Sequence, residues 1–187
     1  SQNIDRLVSI YRACVKTGKI FVVDLYTATI LKELSNHAGL PHPSKEFSDV
    51  KVLFTAQVIN KLTEEDKKNV LRNFRSYQIS HKEISANKGN IVMIIRPTMK
   101  TDLERISDID GGNLIYSLWE GYLLNDYTKK FIDYLGGKKF EVLKIHTSGH
   151  ADINTLKQMT DVIKPKFIVP IHTFAGNKYR DYFKYRV

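Results

Sequence analysis

At 187 residues and 42% apolar, the chain suits one domain, or one domain plus part of another, with an ordinary globular core. A single cysteine excludes an internal disulfide and a cysteine-built metal cage, no apolar run can span a bilayer, and no basic-apolar leader opens the chain, all of which fits the cytoplasm. The net charge of +9, from 29 Lys+Arg against 20 Asp+Glu, favours an anionic partner, nucleic acid first, although the lysines are scattered and form no arginine-rich block.

In chain order, Ile4, Leu7, Val8, Ile10, Tyr11 and Val15 lie at helical spacing. Ser1 or Asn3 can cap that helix, Gly18 can stop it, and Cys14 inside it reads as a buried, inert thiol. A β-branched and aromatic run at 20–23 ends in Asp24, and helical spacing returns over 26–34. Gly39, Pro41 and Pro43 mark 37–48 as a loop. Then come a strand at 50–54, a charged exposed helix at 64–74, and an ambiguous stretch at 79–88 closed by Gly89. A buried strand at 91–95 ends in Arg96-Pro97. A short helix at 102–106, a turn at Gly111-Gly112, a strand at 114–118 and a helix at 126–135, stopped by Gly136-Gly137, complete the middle. Strands alternate with helices throughout. That predicts an α/β fold with a mainly parallel sheet and helices on both faces. No internal repeat or low-complexity stretch is present.

The organising stretch is the last unit. A strand at 140–145 leads into His146-Thr147-Ser148-Gly149-His150-Ala151-Asp152. A helix follows, with apolar residues at 153, 156, 159, 162 and 163. Pro165 precedes a second apolar run at 167–171, which ends at His172. Two parallel strands joined by a crossover helix deliver His150 and His172 to one sheet edge, where ligands of open α/β folds collect. His172 at a strand end can offer a ring nitrogen to a metal, although a lone rim histidine more often bonds a backbone carbonyl. Ser148-Gly149-His150 at a helix start can hold a phosphate; the commoner reading is a capping turn closed by Ser148 or Asp152. Asp24 and Asn3 read as cap residues that can face the same rim. Trp119-Glu120-Gly121-Tyr122 reads as an aromatic loop on the core edge. His37, His42 and His81 lie in polar loops and look incidental.

At these residues the chain resembles the carboxyl-terminal half of a metallo-β-lactamase-superfamily hydrolase of the β-CASP, ribonuclease J-like kind. Ser148-Gly149-His150 matches that family's Ser-Gly-His motif. Lys164-Pro165 with Pro170-Ile171-His172, 22 residues beyond His150, matches its second histidine. The opening Ser1-Gln2-Asn3-Ile4-Asp5-Arg6 and Lys16-Thr17-Gly18-Lys19 resemble the first helix of the β-CASP insertion. The likeness covers nearly the whole chain. It implies a β-CASP-like α/β domain at 1–125 and a carboxyl-terminal segment of the metallo-β-lactamase fold at 126–187.

The resemblance also implies roles. His172 would bind one of two zinc ions, and His150 would contact the scissile phosphate. His146, Thr147, Ser148 and Gly149, with Ser1 and Asn3, would line the phosphate path. RNA or single-stranded DNA would be the partner, with no membrane, and a homo-oligomer is compatible. The HxHxDH motif, which supplies most zinc ligands in the family, is absent from these residues. The opening also starts almost directly on a helix. The expectation is therefore a piece of a longer hydrolase, inactive and metal-free without its amino-terminal half. Thr173-Phe174 stands where ribonuclease J-type chains often carry Gly-Glu, so the surroundings of His172 depart from that pattern. Two other classes fit the residues: a non-catalytic nucleic-acid-binding α/β module, and a same-fold metallohydrolase of a small substrate.

Overall fold

A computed structural model describes residues 3–65, 69–145, 151–171 and 173–187. The chain forms two compact units, Ser1–Ile115 with Glu120–Leu143, and Tyr116–Trp119 with Lys144–Val187. The boundary expected between 125 and 126 compares with crossings at 115–116, 119–120 and 143–144. The helix that starts at Asp126 lies in the first unit.

The first unit begins with α1, Ile4–Thr17. Asn3 caps it by accepting the Arg6 N–H at 2.9 Å. Gly18, at φ 64°, takes the left-handed conformation that ends the helix, and the Lys19 N–H donates to the Cys14 carbonyl at 2.9 Å. The chain turns back within Gly18-Lys19 and enters β1, Ile20–Asp24. Strands β2 (Val50–Leu53), β3 (Gln78–Ile79) and β4 (Ile91–Met93) complete a sheet of order β3-β2-β1-β4. All three of its pairings are parallel, with Val22 opposite both Lys51 and Met93.

Alternation along β1 splits the core. Phe21 and Val23 join Leu7, Cys14, Leu31 and Phe74 on one face, whereas Val22 joins Ile84, Leu103, Phe131 and Leu135 on the other. With both faces covered, the strands can be apolar throughout. Cys14 is buried, and that burial pushes its thiol above the usual range. Helix α2 is Leu25–Ser35. Helix α3 (Ala56–Glu64) lies upstream of the helix expected at 64–74; Val58 and Leu62, one helical turn apart, pack on the core. Helix α4 covers Asn69–Phe74. The ambiguous stretch resolves into β3 and α5 (His81–Ala86), opened by a reciprocal capping box between Ser80 and Glu83.

Beyond β4, a 3₁₀ turn at Pro97–Met99 leads into α6, Lys100–Glu104. A second sheet pairs β5 (Gly112–Tyr116) with β6 (Phe140–Lys144), flanking α7 (Asp126–Gly137) in the chain. The Gly111 N–H donates to the Lys138 carbonyl and the Ile145 N–H to the Tyr116 carbonyl, so these strands also run parallel. Gly136 and Gly137, expected to stop α7, lie within it; the turn comes at Lys139, φ 59°. Gly112, expected in a turn, opens β5, and a Cβ there would sit 2.9 Å from Phe140 Cε1.

In the second unit, α8 spans Ile153–Ile163 and α9 spans Tyr179–Tyr182. The strand expected at 167–171 is corrected. Phe167 makes one isolated bridge with Arg186, and Phe167, Val169 and Ile171 are exposed. The run has strand composition, but among the described residues it finds a ladder partner at one position.

Gly112→Ala should cost about 1–3 kcal/mol in urea unfolding, since the methyl meets the Phe140 ring at a φ of 151°. The Ser80 hydroxyl and N–H hold the Glu83 carboxyl below the usual carboxylate range. That contribution is present above the ordinary value and is lost as pH falls through the depressed one. Ser80→Ala should move the Glu83 midpoint upward in a carboxyl-carbon NMR titration.

Candidate functional site

His146, Thr147, Ser148, Gly149, His150, His172 and Ser1 lie outside the described residues. Their flanks are described. β6 delivers the chain to position 144, and α8 resumes at Ile153. Asp152 caps α8, its Oδ1 accepting the Thr155 N–H at 2.8 Å. That bond, chiefly, holds the Asp152 carboxyl below its usual range. Strand, motif and helix thus follow in the order the sequence suggests, and the cap is Asp152. Lys164 closes α8 in the left-handed conformation at φ 49°, immediately before Pro165.

The described polar groups that converge do so in the first unit, at the carboxyl ends of its parallel strands. From β1 the chain winds through β2 and β3 on one side, then places β4 on the other. The edge between β1 and β4 is therefore a topological switch point, the place where open α/β sheets leave a crevice. Asp24 ends β1. Arg96 follows β4, whose ladder is extended by the Ile94 N–H donating to the Val22 carbonyl at 2.9 Å. The two side chains form an ion pair, with Asp24 nearly buried and the Arg96 side chain 28% exposed. The Asp24 Oδ1 accepts the Thr27 N–H at 2.7 Å and caps α2; Arg96 Nη2 donates to Thr27 Oγ1 at 3.1 Å. The guanidinium also lies over the Tyr26 ring, 5.8 Å from its centroid. Burial pushes the Arg96 pKa below its ordinary value, while the adjacent carboxylate favours the charged form.

One strand further along the same edge, Asp102 is buried. It accepts the Ala56 N–H at 3.0 Å, capping α3 from 46 residues away, because Thr55 makes no side-chain cap. His81 Nε2 stands 3.4 Å from Asp102 Oδ1. His81 is thus not an incidental loop residue. Arg96, Asp102 and His81 escaped the sequence reading. The available signal was a pair of opposite charges, Asp24 and Arg96, each directly behind an apolar run.

Among the described residues no group of three or more His, Cys, Asp or Glu side chains could hold a metal ion. No helix among them is long and apolar enough to cross a membrane.

Residues 138–175 match the family described as the Zn-dependent metallo-hydrolase RNA specificity domain. The chain resembles the β-CASP, ribonuclease J-like metallo-β-lactamase hydrolases. Over 178 residues, 92% of the chain, it is 25% identical to Ribonuclease J 1 of Streptococcus pyogenes serotype M3 (strain ATCC BAA-595 / MGAS315). That stretch is 28% of the relative, so the chain spans about a quarter of that protein's length. No solved structure matches. The segment matched by the RNA specificity domain contains both Ser148-Gly149-His150 and His172.

Asp24→Ala should cost about 2–4 kcal/mol in thermal or urea unfolding, because it strips the α2 cap and leaves the half-buried Arg96 without its carboxylate. Asp24→Asn, which keeps a cap acceptor, should cost less.

Proposed function

We propose that this chain is the carboxyl-terminal part of a zinc-dependent hydrolase that cleaves phosphodiesters of RNA, or of single-stranded DNA. The observation that carries this reading is the RNA-specificity-domain match over 138–175, which encloses both histidine motifs. The resemblance to Ribonuclease J 1 across most of the chain and the net charge of +9 support it. A cationic surface attracts a polyanion at long range and makes binding fall steeply with salt.

In this reading His150 donates a hydrogen bond to the scissile phosphate or a proton to the leaving oxygen. Ser148 and Gly149, at the approach to α8, bring a hydroxyl and an uncrowded backbone to a phosphate. His146, Thr147 and Ser1 line its path. Asn3, whose Oδ1 caps α1, joins that lining. His172 is assigned to a zinc ion whose other ligands come from the amino-terminal half. Bound there, zinc supplies charge stabilisation and an activated water. The described residues contain no ligand cluster of their own.

The test uses the protein extended through its amino-terminal half. His172→Ala should lower zinc content measured by elemental analysis, while His150→Ala should keep the zinc and lose turnover on a labelled single-stranded RNA by roughly 10²-fold or more. Zinc loss in His150→Ala would show that the roles are reversed. Cleavage of small esters with no action on RNA would remove the nuclease assignment.

A further inference from the structure

The switch-point edge of the first unit holds an aromatic side chain that the assigned roles do not use. Tyr26 is the second residue of α2, directly beyond Asp24, and is 49% exposed. Its neighbour in space is the Arg96 guanidinium, which lies over the ring. Arg96 is itself fixed by Asp24 and Thr27. An arginine fixed at its head is a preorganised planar surface, and it holds the ring beside it at little further entropic cost.

The chemistry of the pair narrows the ligand. Asp24 neutralises Arg96, so the site has little net charge with which to capture a free phosphate. What it offers is a flat aromatic and guanidinium surface, plus the guanidinium N–H donors beyond those given to Asp24 and Thr27. Planar π surfaces of this kind stack nucleobases without regard to sequence. The location agrees, because the carboxyl edge of an open parallel sheet at a change of winding direction is where nucleotides bind in this architecture.

We infer that Tyr26, held by the Asp24–Arg96 pair, is a stacking platform for a base of single-stranded RNA. This inference rests on the RNA reading above and adds a contact remote in sequence from the histidine motifs.

The experiment measures fluorescence anisotropy of a labelled ten-nucleotide oligouridylate with the protein extended through its amino-terminal half, in EDTA to prevent cleavage, at fixed low salt. Tyr26→Ala should weaken binding by roughly tenfold, Tyr26→Trp should restore it, and a ribose-phosphate decamer lacking bases should bind the unaltered chain more weakly than oligouridylate. Circular dichroism checks that the variants melt as the parent chain does; alanine at this exposed helical position favours folding. Equal binding by the parent and Tyr26→Ala overturns the platform and leaves the RNA reading standing. Absence of binding by the parent chain overturns both.

Discussion

One carboxylate settles much of the first unit. Asp24 ends the central strand, supplies the acceptor that the free N–H groups of α2 need, and neutralises Arg96 arriving from the neighbouring strand. Each task alone is ordinary. Together they tie β1, α2 and the segment after β4 at a single point. They also do so where the sheet changes its direction of winding, which ladder hydrogen bonds alone would not brace. A buried ion pair is weak evidence for added stability, since desolvation offsets much of the attraction. Its clearer effect is geometric: it leaves Arg96 and Tyr26 in one defined arrangement.

Asp102 repeats this logic one strand away. The start of α3 lacks a local cap at Thr55, and the missing acceptor arrives from beyond β4. Both buried carboxylates, Asp24 at the end of β1 and Asp102 in α6, therefore serve helix starts first. A ligand at the edge meets side chains whose orientation is already set by the fold. Rigid elements position a site more accurately than loops do.

Much of this was legible in the residues. The period of α1, its cap at Asn3 and its stop at Gly18 are local, and local signals carry over directly. The apolar runs of β1, β2 and β4 are equally plain, those of β1 and β2 largely buried, whereas the run expected to be buried at 91–95 is half-buried. Other features depend on distant partners. Helix α3 was obscured because its cap lies 46 residues away, although Val58, Ile59 and Leu62 stand at helical spacing. Gly136-Gly137 looked like a stop, yet α7 continues through it and the chain turns at Lys139. The run at 167–171 has the composition of a buried strand, but composition does not supply a neighbour to pair with. The linking of Arg96 to Asp24 needs the strand order, which no local window contains. The histidine motifs were readable as motifs, and the match over 138–175 falls on them; their side-chain positions lie outside the described residues.

The burial of Cys14 has a practical consequence. It is the chain's single cysteine, enclosed between α1 and the sheet with its thiolate disfavoured. Alkylating reagents act on thiolates that solvent can reach, so the native fold shields this one. A cysteine introduced at an exposed position can then carry a fluorophore or spin label without competition, and slow reaction at Cys14 itself becomes a clock for opening of the first helix.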